Sequence, residues 1–260
     1  MRKRMARRTV SLLVVLATAS RASGQIPDKF TNLQVLPKDV PKAQLVRTMR
    51  DSATALGVRC LHCHVGGNPE TLEGFDFASD DKWEKRTART MLRMVRVLND
   101  DYVGRLEPRP VTAGQPGPAA VRVECITCHR GVARPETIDA VLSRVLAKDG
   151  PGAALKTYKD LRSQYLVRGS YDFSHVPLDT LAEGLLDQGR GREALPFLEM
   201  NVENDPSASW TLYLLGEARL AVGDRVEALQ AFERSLALSP KNSGARKRIE
   251  ELKAPPAPKP

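Results

Sequence analysis

Every cysteine of the 260-residue chain, and three of its four histidines, lie in two pentapeptides, Cys60-Leu61-His62-Cys63-His64 and Cys125-Ile126-Thr127-Cys128-His129. Two thiols three positions apart can reach the two vinyl groups on one edge of a porphyrin, and the next imidazole can turn onto its iron. CxxCH is the attachment signature of c-type haem. The spacing therefore predicts two covalently bound haem c groups, with thioether links at Cys60, Cys63, Cys125 and Cys128 and proximal iron ligands His64 and His129. A zinc ribbon would set its CxxC pairs about 15 to 20 residues apart, whereas roughly sixty separate them here. A redox dithiol would call for a thioredoxin-like strand before the motif, and the pattern before Cys60 is helical.

The sixth position on each iron decides between electron transfer and ligand chemistry. Behind the first 24 residues the candidates to fill it are Met49, Met91, Met94 and Met200, with His62 and His175 the only other histidines. His62 is expected to turn outward and His175 to be a surface residue. Met49 shares one face of a helix with Leu45, Ser52, Ala53 and Leu56, and those small neighbours leave room for a flat ring. Met91 and Met94 both lie on a second apolar stripe with Val95 and Leu98, and periodicity does not choose between them. Plain core packing is the competing role for each methionine.

The elements that must position these groups can be read from caps and periodicity. A helix is expected over Val40 to Leu56, with Asp39 near its start and Gly57 as a left-handed C-terminal cap. A second is expected over Asp80 to Leu98, capped by Ser79, with Asp80 and Asp81 in its first turn. Gly104 to Ala120 is rich in proline and glycine and reads as a loop. In the rear of the chain an offset of 34 places Gly189 on Gly223, Glu193 on Glu227, Ala194 on Ala228, Leu195 on Leu229 and Pro206 on Pro240. That is the tetratricopeptide period. Leu181 to Pro206 and Trp210 to Pro240 read as two helical hairpins. Helices over Ile138 to Lys148, Gly152 to Tyr165 and Ser243 to Lys253 would flank them.

The first residues resemble an export signal. Arg2, Lys3, Arg4, Arg7 and Arg8 precede an apolar run from Val10 to Ala19, and Ala22-Ser23-Gly24 follows. The run is shorter than the 20 or so residues needed to span a bilayer. Cleavage would place the protein in the periplasm or on the outer face of the membrane. Residues 1 to 24 hold six basic side chains and no acid, which leaves 34 Lys and Arg against 31 Asp and Glu, a charge of +3 instead of +9. With mixed charges and few aromatics, a nucleic-acid partner is not expected.

The stretch from Asn32 to Pro135 resembles the cytochrome c subunit of photosynthetic reaction centres. The resemblance is carried by a methionine helix before Leu56-Gly57-x-x-CxxCH, then Ala88-Arg89-x-Met91-x-x-Met94-Val95-Arg96-x-x-Asn99, then CxxCH-Arg130-Gly131. It implies axial ligation of the first haem by Met49 and of the second by Met91, with Met94 as packing and as the alternative ligand. The family's subunit carries four haems in two such pairs, and this chain has one pair followed by repeats.

The expected architecture is all-α: a signal peptide at 1–24, a dihaem cytochrome c unit at 25–136, tetratricopeptide-like repeats at 137–253 and a proline-rich tail at 254–260. The expected function is one-electron transfer between redox partner proteins, with the repeats open to docking of a protein. A dihaem peroxidase-like enzyme with one open iron, and a haem-bearing adaptor built around the repeats, are the alternatives. Because the front part is poor in aromatics, its haems should supply much of the core, and the apoprotein is expected to be largely unfolded.

Overall fold

The computed structural model describes residues 26–106 and 121–254. The expected leader, most of the proline- and glycine-rich loop and the tail beyond Ala254 lie outside the described residues. Within them the fold is all-α, with ten α-helices and one two-stranded hairpin.

Helix α1 runs Lys42–Leu56. It begins two residues later than expected because Pro41, at φ −59° and ψ 139°, occupies the N-cap, and Asp39 contributes no side-chain cap. Its end matches the sequence. Gly57 adopts φ 69° and ψ 28°, and the N–H groups of Gly57 and Val58 donate to Thr54 O (3.2 Å) and Ala53 O (3.0 Å). This is a Schellman turn, which satisfies two terminal carbonyls and reverses the chain.

Beyond the first haem motif comes a hairpin the sequence did not signal, β1 (Val65–Gly66) paired antiparallel with β2 (Phe75–Asp76). Helix α2 spans Trp83–Val97 and starts three residues after the expected Asp80. Ser79 does not cap it, and its hydroxyl instead accepts the N–H of Asp81 at 3.1 Å. Asp80 lies outside the first turn, ion-paired to Lys85 (3.2 Å) and Arg89 (2.8 Å). Lys85 is only 9% exposed, and its ammonium donates to the carbonyls of Phe77 (2.9 Å), Ala78 (3.0 Å) and Ser79 (2.6 Å). A buried charge is tolerated when fully paired in this way. The helix passes into a π turn at Leu98–Tyr102. The second haem motif forms the short helix α3, Cys125–His129, opened by a reciprocal capping box between Glu124 and Thr127.

The remaining helices stack as antiparallel pairs: α4 (Ile138–Asp149) with α5 (Pro151–Tyr165), α6 (Val176–Asp187) with α7 (Gly191–Asn204), and α8 (Ser209–Ala221) with α9 (Arg225–Leu238). Helix α10 (Ser243–Lys253) closes the stack, with the bounds expected from sequence. The 34-residue offset is geometrically real. Gly189 (φ 71°) and Gly223 (φ 91°) make the same left-handed turn inside their hairpins, and Ala194 and Ala228 are both fully buried. Tyr158, Phe197 and Phe232 fill the spaces between helices.

A polar network ties three of these helices together. The carboxylate of Asp179, in α6, accepts from Asn201 Nδ2 (2.9 Å) in α7 and from Thr211 Oγ1 (2.8 Å) in α8. His175 Nδ1 lies 2.9 Å from Asp179 Oδ2, and Asn201 also donates to the His175 carbonyl at 2.7 Å. His175 is therefore not a simple surface residue: it forms the half-exposed edge of a buried network.

The clusters of buried apolar side chains all lie from Ile138 onward. Among the described residues ahead of that point the buried apolar ones are Val40, Leu45, Ala55 and Val132, and none of them joins a cluster. Among the described residues no helix is long and apolar enough to cross a membrane.

Candidate haem-binding site

The two CxxCH segments are held apart by one helix and together by two glycines. The Schellman turn delivers the chain from α1 into a 3-10 turn, Cys60–His62, after which Cys63 and His64 follow. Gly57 lies so close to Gly131 that a Cβ on the former would collide with the carbonyl of the latter. Gly131, at φ 90°, donates its N–H to Ala55 O at 2.8 Å. Helix α1 thus packs against the second motif while its C-terminus feeds the first.

Helix α2 is fastened at both ends to these segments. Near its start Lys82 Nζ donates to the Leu61 carbonyl, inside the first motif. Beyond its end the Asn99 amide donates to Val123 O (2.8 Å) and accepts from Val123 N (2.8 Å), two residues before Cys125. Arg89 and Arg96 donate to the carbonyls of Asn32 (3.1 Å) and Val35 (2.6 Å). They pin the segment before α1 along the same helix.

The residues present fit haem in several respects. His129 Nδ1 lies 2.9 Å from the carbonyl of Val132, which fixes the ring proton on Nδ1 and leaves the Nε2 lone pair for a metal. Burial and the nearby Lys85, Lys82 and Arg89 push the His64 imidazole down to about 4. It is neutral at neutral pH, as an iron ligand must be. Its ring meets Phe77 edge-on at 5.1 Å, and Phe77 stacks on Phe75. Burial raises the Cys63 thiol above its usual range. No disulfide joins the four cysteines, and no group of three or more His, Cys, Asp or Glu converges among the described residues. The geometry therefore does not bring the CxxC pairs into a zinc site.

Among the described residues, several apolar side chains of α1, α2 and the motifs themselves are exposed. Met49 is 38% and Met94 43% exposed, with Leu61, Val97 and Ile126 also open. Met91 is half-buried. Exposed apolar surface of this kind marks a face meant for a partner or cofactor. His62 is half-exposed beside His64. Met200 packs against the core of the repeats, away from either motif. Sequence reasoning did not single out Lys85, Phe77 or Val132, and gave Asn99 no role beyond its place in a motif. All four act through contacts between segments remote in sequence or through a backbone carbonyl.

The comparisons with known proteins agree with this arrangement. The chain is 31% identical over 118 residues to the photosynthetic reaction center cytochrome c subunit of Thermochromatium tepidum, an alignment covering 45% of this chain and 24% of that protein. It is 35% identical over 99 residues to cytochrome c-554 of Chloroflexus aurantiacus, covering 38% and 20%. A TPR repeat-containing protein of Pseudomonas aeruginosa is 46% identical over 57 residues, covering 22% and 54%. The chain spans about a quarter of the length of the first of these relatives. The profile described as photosynthetic reaction centre cytochrome C subunit matches residues 6–208, which take in both CxxCH turns and the helices as far as α7, and the chain belongs to that family.

Proposed function

We propose that the protein is an exported dihaem c-type cytochrome that carries single electrons between redox partners. Its haem unit would occupy 25–136, its repeats 137–253, and the mature protein would work in the periplasm or on the outer membrane face. Cys60 and Cys63 would hold one haem and Cys125 and Cys128 the other, with His64 and Met49 as axial ligands of the first and His129 and Met91 of the second. Met94, more exposed than Met91, is the alternative ligand.

The observation that carries this reading is the tethering of one methionine helix to each motif. Helix α1 runs through Gly57 directly into Cys60, and α2 is clamped through Asn99 to the residues entering Cys125. Haem bound in this way supplies one-electron Fe(III)/Fe(II) chemistry, with methionine ligation raising its potential and closing the iron to substrate. The chain's own part would be to present His64 and His129 to the iron, to set α1 and α2 beside the motifs, and to fix the separation of the motifs. A groove between α6, α8 and α10, lined by Glu183, Trp210, Tyr213 and Glu217, is where a protein partner could dock.

Spectra of the purified haem-loaded protein test the reading. Two low-spin haems per chain, with methionine-to-iron charge-transfer absorption and no response to cyanide or carbon monoxide, are expected. A high-spin iron that binds carbon monoxide would replace the carrier by a peroxidase-like enzyme.

A further inference from the structure

We propose that the helical repeats buttress the axial histidine of the second haem motif, with Ser170 as a positioning residue for His129. The inference rests on the reading that Cys125–His129 carries a haem.

The ring of His129 is oriented by a carbonyl only three residues away, that of Val132. A carbonyl so near in sequence reaches its own neighbour's ring only if the chain reverses between them. Arg130 makes that reversal at φ 46° and ψ 35°. A left-handed backbone at a residue with a Cβ costs about 1–2 kcal/mol, so the surroundings must hold it there. One side of the turn is held by α1, through Gly131 N–H and Ala55 O. The other side is held by the loop between α5 and α6. Ser170 Oγ donates to the Arg130 carbonyl at 2.5 Å, and the Arg130 guanidinium reaches Gly169 O at 3.4 Å.

That loop is anchored in the repeat core. Tyr171 meets Tyr165 and Phe173 edge-on at 5.5 and 6.1 Å, and Phe173 meets the fully buried Tyr158 at 5.8 Å. A continuous chain of contacts therefore runs from the repeat core through Ser170 and Arg130 to the Val132 carbonyl and His129. The first motif supplies an internal control. Among the described residues His64 Nδ1 is buried with no hydrogen-bond partner, and no described residue of the repeats pairs with it.

A carbonyl accepting from Nδ1–H makes the imidazole a more basic ligand, which favours the oxidised iron and lowers the potential. Loosening the turn should have the opposite effect. In the full-length haem-loaded protein, Ser170→Ala is expected to shift the reduction equilibrium of the second haem towards Fe(II) by up to about tenfold, or about 59 mV for one electron. The first haem should stay unchanged. Ser170→Thr, which keeps the hydroxyl, should restore the wild-type value, and Phe173→Leu should shift it in the same direction as Ser170→Ala. Nuclear magnetic resonance assigns each wave through its axial histidine, and the Nδ1 proton of His129 should exchange faster in the alanine variant.

An unchanged second potential in Ser170→Ala, with or without loss of helical signal from the repeats, overturns the proposal. So does an equal shift of both haems. Mass analysis of the peptide containing Cys125 and Cys128 separates the underlying reading from the inference. A wild-type peptide without haem removes both, whereas a haem-bearing peptide with an unmoved potential removes the buttress alone.

Discussion

Gly131 donates its backbone N–H to the carbonyl of Ala55 at 2.8 Å, and this bond joins the end of the first methionine helix to the chain just beyond the second CxxCH. The approach is open only because Gly57 lacks a side chain. Gly57→Ala would put a Cβ against the Gly131 carbonyl at a position with φ 69°. Denaturant unfolding should show a loss of more than about 1 kcal/mol. Haem content should fall at both motifs, because one contact serves both.

Met49→Ala should abolish methionine-to-iron absorption at the first haem alone, and Met91→Ala at the second alone. Met94→Ala should leave both bands in place. If Met94→Ala instead removes the second band, the ligand on α2 is Met94.

Asn99 joins α2 to Val123 by two hydrogen bonds of 2.8 Å. Asn99→Ala leaves the Val123 backbone groups without their partner, at a cost of about 1–3 kcal/mol. The loss should appear as lower thermal stability together with a disturbed second-haem spectrum, the first haem being spared.

Arg89 hydrogen-bonded to Asp80, with Asn32 and Lys85 beside it, holds that carboxyl well below the usual carboxylate range, against the opposing effect of desolvation. A carboxylate depressed in the folded state stabilises at pH values above its unfolded pKa, about 3.9. That contribution is lost as pH falls through the folded value. The denaturant midpoint should therefore drop below about pH 4, and Asp80→Asn should flatten part of that drop.

Apoprotein is expected to lose structure unevenly. The buried clusters begin at Ile138, so hydrogen exchange without haem should show protection in α4 to α10 and little in α1 to α3. This narrows the expectation of a largely unfolded apoprotein to its front half. Native-like protection across Lys42–Leu56 would contradict it.

Local signals were legible in the sequence. Gly57 announced its Schellman turn, and the 34-residue offset announced the paired turns at Gly189 and Gly223, because both depend on a few adjacent residues. Contacts between remote segments were not. Ser79 has the chemistry of a helix cap, but Lys85 gathers the carbonyls of Phe77, Ala78 and Ser79 and draws the chain into a loop there, so α2 starts at Trp83. His175 looked like a surface residue because nothing near it in sequence reveals Asn201 or Thr211. The pairing of Ser170 with Arg130 spans 40 positions, beyond the reach of any periodicity.

Helix α2 is tied at Lys82 to one motif and, through Asn99, to the other, a span of roughly 25 Å at 1.5 Å per residue. Each added or deleted residue would rotate one anchor about 100° relative to the other. Substitutions on its outer face should be absorbed, whereas a single-residue insertion or deletion between the anchors would detach one end. The length of this helix, more than its composition, is what evolution is least free to change.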